Sequence, residues 1–305
     1  MMRGIASAKA ILFGEHAVVY GYPAIAFPIR QLTCEVRAEP RSDGRTLIHA
    51  PQTSEILDVQ TDQDHPLVVL WQLLQETQKV TLPAADFTVH SKIPIAAGFG
   101  SGAALSTALI DACMKLLGTA IPLHQQNEMV YQIEKRYHGT PSGIDNHVVV
   151  YQKPLFFQPG AKLEFLHWPQ TFPILSLQCG KGAPTHQVLT HLQERRRLQP
   201  QRFEQWFAAI GETTQAAKMA LVTGDLVEVG KRMYENHALL QQLGVSSPLQ
   251  DEAVECARSL GALGAKMSGA GWGGQVLILA DADSFEELTR SLEQQGWPIV
   301  FRDLG

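Results

Sequence analysis

Small residues dominate the stretch Pro94–Ala104, PIAAGFGSGAA, which follows a predicted strand and precedes a predicted buried helix. Glycine and alanine let backbone N–H groups approach an anion closely. The first turn of the following helix adds its own unpaired N–H groups and the positive end of its dipole. The pattern is typical of a phosphate cradle. The residues alone leave one alternative open, a tight strand-to-helix turn without a ligand.

The same stretch also matches the dinucleotide-binding fingerprint through Gly98, Gly100 and Ala103. That fingerprint requires a further strand that ends in an acidic residue about 20 positions on. Here a turn and a second predicted helix, Asn127–Tyr137, follow instead. The context therefore excludes a dinucleotide site.

A second glycine-rich stretch, Lys266–Gly274 (KMSGAGWGG), has the same formal spacing in Gly269, Gly271 and Gly274. It precedes the predicted strand Gln275–Ala280 rather than a helix, so the formal match carries no weight. A glycine loop between two strands still lets two backbones, or a backbone and a ligand, come close. The residues leave a binding loop and a structural turn equally open.

Two charged residues lie in otherwise small or apolar surroundings. Asp145 belongs to His138–Asn146 (HGTPSGIDN), where it could orient or deprotonate a substrate hydroxyl, although an Asp in such a turn is commonly an Asx-turn or cap residue. Lys9 lies in ASAKAILFGEH, where the ordinary interpretation is an edge-strand lysine. Neither residue would indicate chemistry on its own.

Hydrophobic periodicity and turn residues predict two α+β domains, 1–172 and 173–305. The first domain is rich in strands and the second in helices, and the second ends in a β-β-α-β pattern. Predicted strands are Lys9–Phe13, Ala24–Ile29, Thr33–Arg37, Thr46–His49, Asp86–Lys92, His147–Gln152, Phe172–Gln178, Leu263–Met267, Gln275–Ala280 and Ile299–Arg302. Predicted helices are Pro66–Glu76, Ala103–Leu117, Asn127–Tyr137, Gln187–Arg197, Phe203–Val222, Leu226–Leu243, Leu249–Leu260 and Ser284–Gln295.

Composition restricts the class of protein. A net charge of -5 argues against nucleic acid as the main partner, because phosphate binding needs a basic face. The four cysteines form no C-x-x-C pair and are expected to be reduced core thiols. No signal-peptide pattern and no membrane-spanning stretch is predicted, so we expect a cytoplasmic protein without a membrane partner.

Taken in order, four motifs resemble those of the GHMP kinases. They are Ser7–Gly21 (SAKAILFGEHAVVYG), Pro94–Ala104, His138–Asn146 and Lys266–Gly274. The stretch Gly224–Val254 also resembles the helical part of the family's C-terminal domain, so the resemblance covers most of the chain. It implies an N-terminal domain like ribosomal protein S5 domain 2 and a ferredoxin-like C-terminal domain with added helices.

The resemblance implies ATP as phosphoryl donor, Mg²⁺ as cofactor and a small-molecule acceptor, and it carries roles to individual residues. Asp145 would be the general base or would orient the attacking hydroxyl, and Lys9 would pair with it and stabilise the developing alkoxide. Ser101 and Glu134 would hold Mg²⁺, and His16, Ser142 and Thr185 would contact the acceptor. Two larger sets complete the site. The residues that would bind ATP are Pro94, Gly98, Gly100, Ser101, Gly102, Ala103 and Ala104. The residues that would form a cleft loop beside them are Gly269, Gly271, Gly273 and Gly274.

Within the family, GEHAVVYG followed by HGTPSGIDN is most similar to the members that phosphorylate mevalonate on its C5 hydroxyl. Alternatives are a kinase for phosphomevalonate, for the C3 hydroxyl of mevalonate or for another small alcohol. A non-catalytic ligand sensor on the same fold should lack Lys9, Asp145, Ser101 or Glu134, and all four are present. The oligomeric state is not fixed, and a homodimer stays open.

Three positions depart from the family's usual pattern. Gly102 stands where many members have a second serine, and the first motif reads Ser-Ala-Lys where Pro-Gly-Lys is common. Trp272 occupies a position that is often glycine, and its large side chain is expected to narrow the cleft there.

Overall fold

The computed structural model describes residues 2–95, 97–138 and 141–304, with the backbone alone at 137 and 138. The chain divides into two compact units. The first unit comprises the chain up to Lys9, Pro28–Pro94 and Phe99–Gln152. The second comprises Ala10–Phe27, Ile95–Gly98 and the chain from Lys153 onward. The units therefore interleave along the chain, and the predicted domain division after residue 172 stays a prediction.

The sheet of the first unit has the strand order β4-β3-β5-β2, and β1 also pairs with β2. Its strands are β1 (Met2–Phe13), β2 (Ala24–Pro40), β3 (Leu47–Ala50), β4 (Glu55–Asp58) and β5 (Ala85–Ser91), of which β1 and β2 continue into the second unit. β5 runs antiparallel to β2, from Cys34 opposite Ser91 to Pro40 opposite Ala85, and parallel to β3. β1 is buried from Ala6 onward, and small residues, Ala8 and Ala10, flank Lys9 on both sides.

Four helices of the first unit pack on one another: α1 (Pro66–Gln78), α2 (Ser101–Leu116), α3 (Leu123–His138) and α4 (Ile144–Tyr151). α2 is buried on most of its surface, as predicted. α4 corrects the sequence analysis, because His147–Gln152 was predicted as a strand. A short apolar run such as HVVVY does not distinguish a buried helix from a strand. Packing of α4 against α2 and α3 overrides the strand preference of its valines.

The strands also differ from prediction in length and number. The predicted strands Ala24–Ile29 and Thr33–Arg37 are one continuous strand, β2. β2 changes partner along its length: Ala24–Ala26 pair with β6 (Leu155–Phe157), and the residues from Cys34 onward pair with β5. Pro28 lies between these paired segments, where it interrupts neither ladder. β4, β6 and β7 (Glu164–Phe165) were not predicted, and each is only two to four residues long.

The second unit contains an antiparallel sheet with the strand order β11-β8-β10-β9. Its strands are β8 (Ile174–Cys179), β9 (Gly264–Ser268), β10 (Gly274–Leu279) and β11 (Ile299–Asp303). In chain order, helices separate β8 from β9, a loop joins β9 to β10, and α9 (Phe285–Gln294) separates β10 from β11. This is the β-α-β-β-α-β arrangement of ferredoxin-like folds. The α+β prediction is confirmed.

Two hydrophobic clusters hold the helices of this unit. In one, Val254 of α8 (Pro248–Ser259) and Phe285 and Leu288 of α9 pack with Leu177 and Val276 of the sheet. The other contains apolar residues of α5 (Thr185–Leu198), α6 (Pro200–Thr223) and α7 (Leu226–Leu243) together with Met267 of β9. In the part of the chain that the structure describes, no helix is both long and apolar enough to cross a membrane.

A close backbone contact between α7 and β9 yields a stability prediction. A Cβ added to Gly230 would lie 2.2 Å from the carbonyl oxygen of Leu263. Gly230→Ala should therefore lower the free energy of unfolding by about 1–3 kcal/mol, since the helix must move away from the strand. Helix propensity alone predicts the opposite, a gain of up to about 1 kcal/mol. Urea unfolding measures the difference.

Gly211→Ala in α6 is the matched control. Its added Cβ would meet the Cδ1 of Tyr22 at 2.8 Å, the ring of a partly exposed side chain that can turn away. The loss should be smaller than for Gly230→Ala. If Gly230→Ala is as stable as the parent chain or more so, the α7–β9 contact does not constrain the packing.

Candidate active site

Lys9 lies in β1 and is the last residue of that strand that belongs to the first unit. Its residue is only 3% exposed. Its backbone N–H donates to the carbonyl oxygen of Phe99 at 3.0 Å, which ties the strand to the residues that precede α2. An amino group in this setting needs a partner, because burying an unpaired charge is costly.

Asp145 supplies that partner. Its Oδ1 lies 2.8 Å from Nζ of Lys9, and its side chain is 30% exposed against 4% for the lysine. Asp145 occupies the first turn of α4, after the helix N-cap Gly143, where the helix dipole favours a negative charge. One carboxylate therefore neutralises the buried ammonium while part of it stays accessible.

Side-chain hydrogen bonds between α3 and α4 fix the turn that carries Asp145. Asn146 donates to Oδ1 of Asn127 at 2.8 Å, and the amide nitrogen of Asn127 lies 3.2 Å from Nε2 of His147. The other ring nitrogen of His147 lies 2.5 Å from the carbonyl oxygen of Gly143. The helix start is thus held on both sides of Asp145. Gly139 and Thr140 of the predicted catalytic turn lie outside the described residues.

Glu134 is a second buried carboxyl near this pair, on α3. Burial raises the pKa of Glu134 to about 8; the charge of Asp145 adds to the rise and that of Lys9 opposes it. The electrostatic influence of both residues places Glu134 in their neighbourhood. A divalent cation bound there would favour the ionised carboxylate and offset its repulsion with Asp145.

The N-terminus of α2 borders the lysine. Gly100 is the N-cap, with φ 70° and ψ 36°, and Ser101 is the first helical residue. A Cβ on Gly100 would lie 2.9 Å from Cγ of Lys9 and 3.6 Å from Oδ2 of Asp145. Both the left-handed backbone and the close approach exclude a side chain here. The first N–H groups of α2 are therefore available to an anion close to the Lys9–Asp145 pair.

Glu134 and Ser101 carry oxygen donors of the kind that Mg²⁺ prefers. Among the described residues, no group of three or more His, Cys, Asp or Glu side chains is arranged to hold a metal. Mg²⁺ does not require one, because it is commonly bound by one or two carboxylates together with substrate phosphates. The hard oxygen donors of Glu134 and Ser101 fit that pattern.

His16 belongs to the second unit and has an unusual backbone, with φ 62° and ψ -48°. Burial lowers the pKa of His16 to about 4; a hydrogen bond to the backbone of Ala270 opposes this, and the charge of Lys266 contributes to it. Nε2 of His16 is buried and has no hydrogen-bond partner within the described ranges. A neutral imidazole with its other nitrogen engaged by a carbonyl presents Nε2 as a hydrogen-bond acceptor.

Sequence reasoning missed a buried ion pair beside His16. Nζ of Lys266 donates to Oε1 of Glu15 and, at 2.7 Å, to the carbonyl oxygen of Met267. Both side chains are almost completely buried. The charges are visible in GEH and KMSGAG, but these motifs lie 251 positions apart, and nothing local indicates that they meet.

The glycine loop between β9 and β10 is braced from α8. The side chain of Gln250 donates to the carbonyl oxygen of Gly273 at 2.8 Å and accepts from its N–H at 3.2 Å. Gly269, Gly271, Gly273 and Gly274 all have φ between 89° and 107°. A Cβ on Gly269 would lie 3.3 Å from Cα of Gly98, so the two glycine-rich stretches make contact within the second unit.

Trp272 packs into the helical cluster that contains Met267. Its ring nitrogen donates to the carbonyl oxygen of Gly244 at 2.9 Å, and His191 lies against the ring with centroids 5.0 Å apart. The indole is thus committed to helix packing. Its expected narrowing of a cleft stays a prediction.

The remaining predicted residues are less closely tied to this arrangement. The Ser142 hydroxyl accepts from the N–H of Ile144 at 3.4 Å, in the first unit. Thr185 is the exposed first residue of α5, in the second unit. The structure thus brings Lys9, Asp145, Gly100 and Glu134 together, and the roles of Ser142 and Thr185 stay predictions.

A buried lysine–aspartate pair beside a helix N-terminus suits phosphoryl transfer, in which catalysis is mainly positioning and charge stabilisation. The comparisons identify the family. The model for the GHMP kinases N terminal domain matches residues 65–153, and that for GHMP kinases C terminal matches residues 216–298. The chain belongs to the GHMP kinase family.

Relatives are similar over almost the whole chain. A mevalonate kinase of Pyrococcus abyssi is 32% identical, over 97% of this chain and 94% of that protein. The mevalonate kinase of Methanococcus jannaschii superposes with a TM-score of 0.86 at 23% identity, covering 99% and 97% of the two chains. The structure of L. major mevalonate kinase in complex with R-mevalonate superposes with a TM-score of 0.77 at 27% identity, covering 97% of this chain and 92% of that chain. The predicted S5-like and ferredoxin-like GHMP kinase architecture is confirmed.

The raised pKa of Glu134 yields a prediction for the metal-free protein. The folded chain keeps a proton on Glu134 that the unfolded chain loses, so stability should decrease as pH rises from about 4.5 to about 8. Glu134→Gln removes this titration. The melting temperature of the variant, relative to the parent chain, should therefore increase across that range in the presence of EDTA.

Glu212→Gln, on the exposed surface of α6, is the control and should show no such trend. Thermal melts of the three proteins at several pH values decide the matter. A constant difference between Glu134→Gln and the parent chain from about pH 5 to about pH 8 would mean that Glu134 is ionised in the folded apo-protein.

Proposed function

We propose that this chain transfers the γ-phosphoryl group of ATP to the C5 hydroxyl of (R)-mevalonate. The observation that carries the reaction type is the Lys9–Asp145 pair, 2.8 Å apart beside the N-terminus of α2. The substrate assignment is supported by relatives named mevalonate kinase that are about a third identical over nearly the full length.

In the proposed mechanism, Asp145 accepts the proton of the acceptor hydroxyl as its oxygen forms a bond to the γ-phosphorus. The bond between that phosphorus and the bridging oxygen breaks, and ADP leaves. The ammonium of Lys9 stabilises the negative charge on the attacking oxygen. Both groups are held in place before the substrate binds, so little reorganisation accompanies the reaction.

The phosphate-binding role falls to Gly98–Ala104, with Pro94 at the start of the stretch. Free N–H groups at the start of α2 would bind phosphate oxygens, and the absence of a side chain at Gly100 leaves room for them. Ser101 and Glu134 would hold Mg²⁺, which neutralises phosphate charge when bound. Gly102 provides no hydroxyl, so the serine contact common at that position is absent.

Charge around the proposed acceptor contacts favours a substrate without a phosphate group. The stretches 11–21, 141–146 and 182–187 contain no Arg or Lys. His16 offers a neutral ring, since its pKa is about 4, and an accepting Nε2 suits a hydroxyl better than a phosphate. Ser142 and Thr185 would add hydroxyl groups to the same task.

The cysteines, the location, the oligomeric state and the partners complete the description of the proposed enzyme. The four cysteines are free thiols in the structure; Cys34, Cys113 and Cys179 are buried, as predicted, whereas Cys256 is only partly buried. A cytoplasmic location stays a prediction, as does the choice between monomer and homodimer. ATP and a small-molecule acceptor are the partners that the proposed reaction requires.

An ATP-consumption assay against mevalonate, phosphomevalonate, homoserine and galactose tests the substrate. We expect kcat/KM for (R)-mevalonate to exceed that for phosphomevalonate by on the order of 100-fold or more, because the proposed acceptor contacts provide no cation for a second phosphate. Phosphorus NMR of the product should show a C5 phosphomonoester. Faster turnover of phosphomevalonate, or a phosphate on the C3 hydroxyl, would contradict the substrate assignment.

A further inference from the structure

Gln275 is the second residue of β10 and is fully buried. Its side-chain oxygen accepts a hydrogen bond from the Ser176 hydroxyl at 3.1 Å. Its Nε2 is buried as well and has no hydrogen-bond partner among the residues that the structure describes. A buried N–H donor without an acceptor is uncommon in folded proteins, because it loses hydration without compensation.

The donor faces the first glycine-rich stretch. A Cβ placed on Gly98 would lie 3.6 Å from Nε2 of Gln275 and 3.4 Å from Cα of Gly269. A Cβ on Gly274 would lie 3.7 Å from the carbonyl oxygen of Ala97. Residues 97 and 98 therefore rest directly on the start of β10, and all of these residues belong to the second unit.

The loop carries an acceptor near the start of β10, since a Cβ on Gly274 would lie 3.7 Å from the Ala97 carbonyl oxygen. The Ala97 carbonyl belongs to the peptide bond that joins it to Gly98, which has φ 83° and no side chain to restrict rotation of that peptide. The side-chain oxygen of Gln275 is already engaged by Ser176, so the amide needs no rearrangement of its own.

We propose that Gln275 is a positioning residue for the phosphate loop, and that its amide donates to the Ala97 carbonyl when the loop binds the phosphates of ATP. This inference rests on the proposed function of the loop. The donor has no acceptor within the described residues. Ordering of the loop around the phosphates supplies one. The hydrogen bond gained adds to nucleotide affinity without any contact between Gln275 and the nucleotide.

Gln275→Leu tests the proposal, because it removes the donor and leaves an apolar side chain in its place. We expect the KM for ATP to rise about 5-fold, the effect of one lost hydrogen bond, with kcat and the KM for mevalonate unchanged. The rise in melting temperature caused by the non-hydrolysable analogue AMPPNP with Mg²⁺ should shrink correspondingly. Without nucleotide, loss of the amide donor should not by itself lower the melting temperature of the variant, because the donor has no acceptor there within the described residues.

The single change leaves the Ser176 hydroxyl without its acceptor, so Ser176→Ala/Gln275→Leu is the cleaner variant for stability. Replacing both members of a polar pair by apolar groups is close to neutral. Thr289→Val is the matched control, since Thr289 is fully buried, polar and located in α9. This control should retain the full response to AMPPNP.

The outcomes separate the two hypotheses. A double variant that melts like the parent chain but binds AMPPNP more weakly supports the positioning role. A parent-like response to AMPPNP in both Gln275 variants overturns it, as does a lower melting temperature of the double variant with unchanged KM for ATP. If the parent chain itself does not respond to AMPPNP, the proposed function fails instead.

Discussion

Burying a lysine ammonium is unfavourable unless an opposite charge and hydrogen bonds replace its water. In the first unit this condition is met by Asp145, 2.8 Å from Nζ of Lys9. Much of the surrounding structure follows from that requirement. Small residues in β1 admit the lysine stem, Gly100 gives it room, and the first turn of α4 presents the carboxylate. Asn127 then fixes α4 through Asn146 and His147.

The same arrangement explains why these groups suit phosphoryl transfer. Asp145 keeps part of its surface accessible, whereas Lys9 is almost fully enclosed. A reacting hydroxyl can therefore reach the carboxylate and find the ammonium already in place. Glu134 adds a third charge whose ionisation depends on a cation, because burial and Asp145 raise its pKa to about 8. A divalent cation bound beside Glu134 would favour its ionised form.

Sequence motifs predicted much of the fold and the family, because glycine spacing and hydrophobic periodicity are local signals. The helices α2 and α3 and the strands β9 and β10 lie close to their predicted positions. The error at α4 has a physical origin: its valines favour a strand, and only packing against α2 and α3 selects the helix. That error concealed the placement of Asp145 at a helix N-terminus.

Other features of the site could not be read from local sequence. The Glu15–Lys266 pair joins distant motifs, and the brace from Gln250 to Gly273 joins a helix to a loop. Each depends on tertiary contacts between residues with no spacing signal. The buried amide of Gln275 is likewise visible only once the loop at Gly98 is seen against the start of β10.

A double-mutant cycle on kcat tests the central claim, that Lys9 and Asp145 act as one unit on the acceptor hydroxyl. Lys9→Met and Asp145→Asn should each lower kcat by about 10²–10⁴-fold while AMPPNP affinity stays near that of the parent chain. The double variant should be no slower than the slower single variant, because either change already disables the pair. Effects that multiply in the double variant would show independent roles and contradict the account.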